Sequence, residues 1–168
     1  MAQEGALQHR WDVSPDEAIA IQQRLRAEIP LAEPDEPIAL DEIHTVAGID
    51  VSYREIGRAA IAVFSFPDLA LIEEVTATRE VTFPYIPGLL AFREGPVVLA
   101  AFEQLRTQPD LLIFDGQGYA HPRRLGLARH MGAYLDRPSI GCAKSRLTGR
   151  YGEPGPEPGT WSIGMRLS

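Results

Sequence analysis

From Thr45 to Tyr53 the chain alternates: Ile49, Val51 and Tyr53 fall on one side, and Gly48, Asp50 and Ser52 on the other. This is the period-two pattern of a strand with one buried face. Residues 55–58 supply a turn, Ala59 to Phe66 a second strand, Pro67-Asp68 another turn, and Ala70 to Val81 a third strand, which together predict an antiparallel meander. The pattern changes at Leu111-Leu112-Ile113-Phe114, where four consecutive apolar residues between Pro109 and Gly116 predict a strand buried on both faces. Helical signals lie between and around these strands. Ser14 as N-cap, Pro15 at the first position and Glu17 closing a capping box predict a helix over 15–29 with Ile21, Leu25 and Ile29 on one face. Pro30, Pro34 and Pro37 then predict an irregular acidic connector. Leu89 to Glu94 reads as one helical turn, and Gly95-Pro96 as the start of a separate helix running to about Arg106. A helix near 124–135 and a strand over 138–143 follow. The fold class is α/β, a mixed sheet of an antiparallel three-strand meander plus parallel strands with helices packed on it. Residues 1–150 form one domain, and 151–168, with Pro and Gly alternating from Pro154 to Gly159, form a tail.

Composition adds limits. The chain of 168 residues suits a single core, and its one cysteine, Cys142, excludes an intrachain disulfide framework. No apolar run has membrane-spanning length and no leader pattern opens the chain, so the expectation is a cytoplasmic protein. Net charge is −7, but unevenly spread. Residues 1–45 hold ten acids against three bases, whereas residues 115–150 hold seven bases against two acids. A polyanion can therefore bind the second half despite the overall sign, the alternative being a solvated basic face.

The candidate chemistry begins at Asp115. At the carboxyl end of a buried parallel strand it faces the crevice where open α/β sheets hold ligands, and Gly116 and Gly118 let a flat ligand approach the backbone. If its strand neighbours 45–53, Asp50 converges on the same spot, and two such carboxylates require a countercharge. Oxygen donors with few His or Cys favour Mg²⁺, with Mn²⁺ as substitute. Glu94 is a third candidate ligand, and Arg93 beside it a partner for a carboxylate or phosphate. Lys144 is the only lysine against fifteen arginines, and a compact ammonium suits a tight site beside a scissile phosphate. Taken singly, each acid also fits a surface position, Asp115-Gly116 a simple turn, and the lone lysine chance.

Four segments carry a resemblance: Gly48-Ile49-Asp50-Val51-Ser52-Tyr53, the run from Pro84 to Pro96, Phe114-Asp115-Gly116-Gln117-Gly118, and Gly141-Cys142-Ala143-Lys144-Ser145. Together, and in this order, they resemble endonuclease V, the deoxyinosine 3′-endonuclease family of DNA repair. The resemblance implies a ribonuclease-H-like fold and Mg²⁺-dependent hydrolysis of the second phosphodiester 3′ to a deaminated base, leaving 3′-hydroxyl and 5′-phosphate ends. It implies Asp50, Glu94 and Asp115 as metal ligands and catalytic residues, with Lys144 as an active-site cation. Tyr85, within Tyr85-Ile86-Pro87, would fill the gap left by a flipped base. Gly88, Leu90, Gly116, Gly118 and His121 would surround the base. Extruding a base costs a few kcal/mol, and an aromatic plug offsets part of it. The implied partner is DNA containing deaminated bases, with inosine-containing RNA left open; the expected state is a monomer without membrane attachment, with association through an uncovered sheet edge as the alternative.

The chain departs from the family after Gly159-Thr160-Trp161-Ser162, where further strands and a final helix are expected elsewhere in the family. Without them the expectation is a sheet face and edge open to association, and slow cleavage. Two alternatives follow: a catalytically impaired remnant that binds nucleic acid, or a small-molecule phosphohydrolase that would leave Tyr85 and the basic segment idle.

Overall fold

The structure, a computed structural model, describes residues 7–29, 39–162 and 164–165. The expected proline connector, with Pro30, Pro34 and Pro37, lies outside the described residues. Helix α1, Pro15–Glu28, starts on the expected capping box: the Ser14 hydroxyl accepts from the Glu17 N–H at 3.3 Å, and the Glu17 carboxylate accepts from the Ser14 N–H at 2.7 Å. Its buried stripe is Ala18, Gln22 and Leu25, with Ile21 and Ile29 only half-buried, so the helix is rotated from the expected face. A buried glutamine is tolerated because its amide is fully engaged, as described below.

The meander consists of β1, Thr45–Tyr53, β2, Ile56–Ser65, and β3, Leu71–Glu80. β1 and β2 are joined by Arg54 and Glu55 alone, a tighter turn than the sequence predicted. Strands β4, Leu111–Phe114, and β5, Ser139–Gly141, add to β1 in parallel, giving the order β3-β2-β1-β4-β5. One face of this sheet carries the core. Ala47 and Ile49 of β1, Ala59 and Ile61 of β2, and Leu112 and Phe114 of β4 pack against the helices α2, Leu90–Phe102, and α3, Leu127–Leu135. The opposite face is covered at one end by Ile43, Val46 and Leu111 with Phe64 and Phe66. Towards the other end it is open, with Asp50 and Ala60 exposed and Ile140 45% exposed.

Helix α2 corrects the sequence reading. Instead of one turn followed by a new helix, a single helix runs through Pro96. Proline in a helix interior removes one backbone donor and normally breaks the helix, which is why it read as a start. Here tertiary packing holds the continuation. A Cβ on Gly95 would lie 2.4 Å from the Trp11 ring, so Trp11 packs directly on the helix backbone beside the proline, and Val97 and Val98 are anchored in the core. Trp11 belongs to an aromatic cluster with His9, Phe92, His130 and Tyr134 that docks the N-terminal segment onto α2 and α3. Within it, His9 Nε2 and His130 Nε2 share a 2.7 Å hydrogen bond. The tail is not wholly irregular: β6, Arg150–Tyr151, and β7, Gly164–Met165, pair antiparallel.

Candidate active site

The parallel register of β1 and β4 ends at Ile49 beside Phe114, and the Asp115 N–H donates to the Ile49 carbonyl at 3.2 Å. One step further along both chains, Asp50 and Asp115 stand level on adjacent strands, as the sequence predicted. Lys144 arrives from the loop after β5. Its Nζ lies 2.5 Å from Asp115 Oδ2, and that hydrogen bond, with the negative charges of Asp115 and Asp50, holds its pKa above the ordinary lysine value. That loop is fixed by backbone. The Cys142 N–H donates to the Phe114 carbonyl at 2.8 Å, and the Gln117 side chain donates to the Ser145 carbonyl at 2.8 Å. Gly141 is packed so tightly on the 116–118 backbone that an added Cβ would sit 2.4 Å from the Gly116 carbonyl.

Glu94 comes from the second turn of α2 and is 5% exposed. Tyr53 Oη donates to Glu94 Oε1, and burial together with this carboxylate keeps the phenol protonated by raising its pKa. Burial also pushes the Glu94 carboxyl up to about 7, and the nearby charges of Asp50 and Asp115 add to that, against the Tyr53 hydrogen bond. Among the described residues, Arg93 pairs with no carboxylate. Its Nη1 donates to the Phe83 carbonyl at 2.7 Å, and its guanidinium stacks over the Tyr53 ring at 4.8 Å.

Three carboxylates thus share one neighbourhood with Lys144, and their mutual repulsion is only partly relieved. The donor set, all oxygen, fits a hard divalent cation such as Mg²⁺ or Mn²⁺. Among the described residues, no group of three or more His, Cys, Asp or Glu stands already assembled to hold a metal ion. Asp115 faces Lys144 and Glu94 faces Tyr53, so a bound cation would compete with both contacts.

Beside this cluster, Tyr85, Ile86, Pro87, Gly88, Leu90 and His121 line a small cavity of about 90 Å³, joined by Gln22 and Gln117. Tyr85 is 67% exposed at its rim. Gly88 adopts φ +83°, a conformation that favours glycine. Gly116 and Gly118 do not line the cavity but contact residues that do: Gly116 packs on Leu127, and the Gly118 carbonyl accepts from the Gly126 N–H. A larger open groove of about 750 Å³ continues from the cavity past Gln117 and His121, with Arg124, Lys144, Arg146 and Arg150 along its walls. The Arg124 and Arg129 guanidiniums lie over the Tyr119 ring, and that of Arg146 over the Tyr151 ring. Neither aromatic was singled out by the sequence, although Tyr119 falls within the basic segment and Tyr151 directly follows it.

Two buried titrations oppose one another here. Burial lowers the His130 pKa to about 3, with the charges of His9 and His121 adding to it. A folded-state histidine pKa below the ordinary 6.5 gives stability that is present above that value and lost as pH falls towards 3. Glu94 is raised, so its burial is costly when ionised, above about pH 7, and that cost disappears as pH falls. Between pH 7 and 5 each is worth about 2 kcal/mol, with opposite signs. These two contributions largely cancel over this range, while His9 and His121, also lowered by burial, tip the parent chain towards lower stability as pH falls. Relative to the parent, Glu94→Gln should lose about 2 kcal/mol more on going from pH 7 to 5, and His130→Leu about 2 kcal/mol less, as urea denaturation would show.

The model of the endonuclease V family matches residues 23–166. Endonuclease V of Dehalococcoides mccartyi strain BAV1 is 47% identical over 157 residues, covering 92% of this chain and 68% of the relative. That of Methanothrix thermoacetophila is 49% identical over 156 residues, with 92% and 67% covered. The chain thus spans about two thirds of the length of these relatives. Among solved structures, endonuclease V of Bacillus subtilis superposes with a TM-score of 0.83 at 33% identity, covering 92% of this chain and 68% of that one. Endonuclease V of Ciona intestinalis, solved with a 24-mer DNA containing an inosine followed by a ribo-adenosine, superposes with a TM-score of 0.72 at 30% identity, covering 79% of this chain and 59% of that one. The mixed sheet and its helices are accordingly the ribonuclease-H-like architecture that the motifs implied.

Proposed function

The chain belongs to the endonuclease V family, and from that premise we propose that it is a DNA repair endonuclease acting on deaminated bases, chiefly deoxyinosine. In this reading it hydrolyses the second phosphodiester 3′ to the lesion with Mg²⁺, leaves 3′-hydroxyl and 5′-phosphate ends, and acts as a cytoplasmic monomer. The observation that carries it is the meeting of Asp50, Glu94, Asp115 and Lys144 beside a base-sized cleft and a basic groove.

Each part has a physical task. The Arg124–Arg150 groove attracts the phosphate backbone, and the Tyr119 and Tyr151 rings hold the guanidiniums that lie over them in place along it. Tyr85, at the rim, occupies the space a flipped base vacates. The cavity behind it then presents backbone groups to the Watson–Crick edge, where inosine and adenosine differ. Lys144 neutralises charge on the scissile phosphate from its post against Asp115. Asp50, Glu94 and Asp115 would hold Mg²⁺, which supplies Lewis-acid polarisation of a phosphoryl oxygen. Burial raises the Glu94 pKa, so a proton and the cation would compete for this carboxylate and binding should weaken as pH falls.

Cleavage of a deoxyinosine duplex, compared with the same duplex carrying deoxyadenosine, tests the function. The expected result is a nick in the first only, abolished by EDTA; equal cutting of both would refute it. The competing reading, a binding remnant without turnover, draws on the absence of an assembled metal cluster among the described residues. It predicts inosine-selective binding and no nick. Tyr85→Ala is expected to lower cleavage of the duplex about tenfold, from the 1–3 kcal/mol a stacked base is worth, and to leave an inosine in single-stranded DNA much less affected. Parallel kinetics on the two substrates measure this.

A further inference from the structure

The Gly88 carbonyl receives three donors at once. Gln22 Nε2 of α1 lies 3.0 Å away, His121 Nε2 3.0 Å and Arg123 Nη2 2.8 Å. The Arg123 N–H donates to His121 Nδ1 at 3.1 Å, so Nδ1 is the acceptor and the ring proton sits on Nε2, facing Gly88. Arg123 Nε in turn donates to Gln22 Oε1 at 2.5 Å, which orients the Gln22 amide with its NH₂ towards Gly88. Gln22 is 1% exposed and His121 4% exposed, while Gly88 and Arg123 are half-buried, so the donors from Gln22 and His121 are shielded from solvent. On the other side of the same peptide bond, the Leu89 N–H donates to the Ile86 carbonyl at 3.0 Å. The Gly88–Leu89 peptide plane is therefore held at both its oxygen and its nitrogen, and it cannot rotate without breaking four hydrogen bonds. Three come from residues far away in sequence, on α1 and on the 121–123 loop.

We infer that Gln22 and Arg123 are positioning residues for base recognition: by clamping the Gly88 carbonyl they fix the backbone wall of the cavity and the Tyr85–Pro87 wedge that hangs from it. This rests on the reading of that cavity as the pocket for a flipped base. A wall built of backbone distinguishes one base edge from another only if its peptide planes keep one orientation. Arg123 is not among the residues lining the cavity, so its effect on the base passes through Gly88. Gln22 joins the clamp to the N-terminal helix, which gives α1 a part in recognition although it carries none of the carboxylates.

Gln22→Glu tests this cleanly. The carboxylate keeps the contact with Arg123 as an ion pair, so the fold retains its link, but it donates nothing to Gly88 and repels its carbonyl. Binding is measured by fluorescence anisotropy in EDTA, without cleavage, on a deoxyinosine oligonucleotide and on the same strand with an abasic site. The parent chain should prefer the inosine strand. Gln22→Glu should lose about tenfold of that preference with little change on the abasic strand, and Arg123→Met should move in the same direction. In cleavage, KM for the inosine strand should rise while kcat stays near the parent value. A parent chain with no preference would overturn the function and this inference together. A parent that prefers inosine, with both variants keeping the same ratio, would overturn the clamp alone.

Discussion

Asp115→Asn should reduce cleavage of a deoxyinosine strand about a thousandfold or more, roughly 4 kcal/mol in the barrier, while leaving strand affinity in EDTA within a few-fold of the parent. Asparagine keeps the shape at the end of β4 and can still accept from Lys144, so the backbone contacts of Asp115 with Ile49 and of Cys142 with Phe114 survive. What disappears is the charge. Lys144 loses its nearest counter-ion, and a divalent cation loses the donor that stands level with Asp50. The basic groove and the base cavity are built from other residues, which is why binding should persist. Single-turnover nicking beside anisotropy separates the two effects. A variant that cuts within tenfold of the parent would mean that Asp115 has no part in the chemistry.

Lys144→Arg should cost about a hundredfold although it conserves charge. The lysine ammonium reaches Asp115 Oδ2 at 2.5 Å from a loop pinned by Gly141, Cys142 and Ser145. The Lys144 side chain is 84% exposed, not in the tight site the sequence suggested, so an arginine has room; but a guanidinium is wider and planar and prefers a forked contact, which spreads its charge and sets it off from the position of the ammonium. A displacement of about 1 Å at a reacting centre is enough for a loss of this size. Cleavage rates at saturating strand measure it; a variant at the parent rate would make the single lysine a compositional accident.

The sequence made some of this legible because the signals were local. The capping box, the alternation through Thr45–Tyr53 and the apolar run Leu111–Phe114 each speak within a few residues, and together they placed Asp50 and Asp115 on strands that proved to be neighbours. What stayed hidden is non-local. Pro96 reads as a helix start until Trp11 is seen packed on Gly95. Gln22 reads as a polar position until Gly88 and Arg123, 66 and 101 residues away, are brought to it. The burial of Glu94 depends on Tyr53 from the end of β1, and the His9–His130 contact spans 121 residues. The β6–β7 pair joins two short segments across a Pro/Gly-rich loop that carries no strand pattern.

The proposed function requires one cluster, Asp50, Glu94, Asp115 and Lys144, to cut beside a base held in the Gly88 cavity. Its most direct test is to incubate the purified chain with Mg²⁺ and an end-labelled duplex containing one deoxyinosine, and to map the product at single-nucleotide resolution. The expected product is a nick at the second phosphodiester 3′ to the inosine, with a 3′-hydroxyl that a ligase can reseal, and none in EDTA. An intact strand carrying an abasic site, or a cut whose position ignores the inosine, would contradict it.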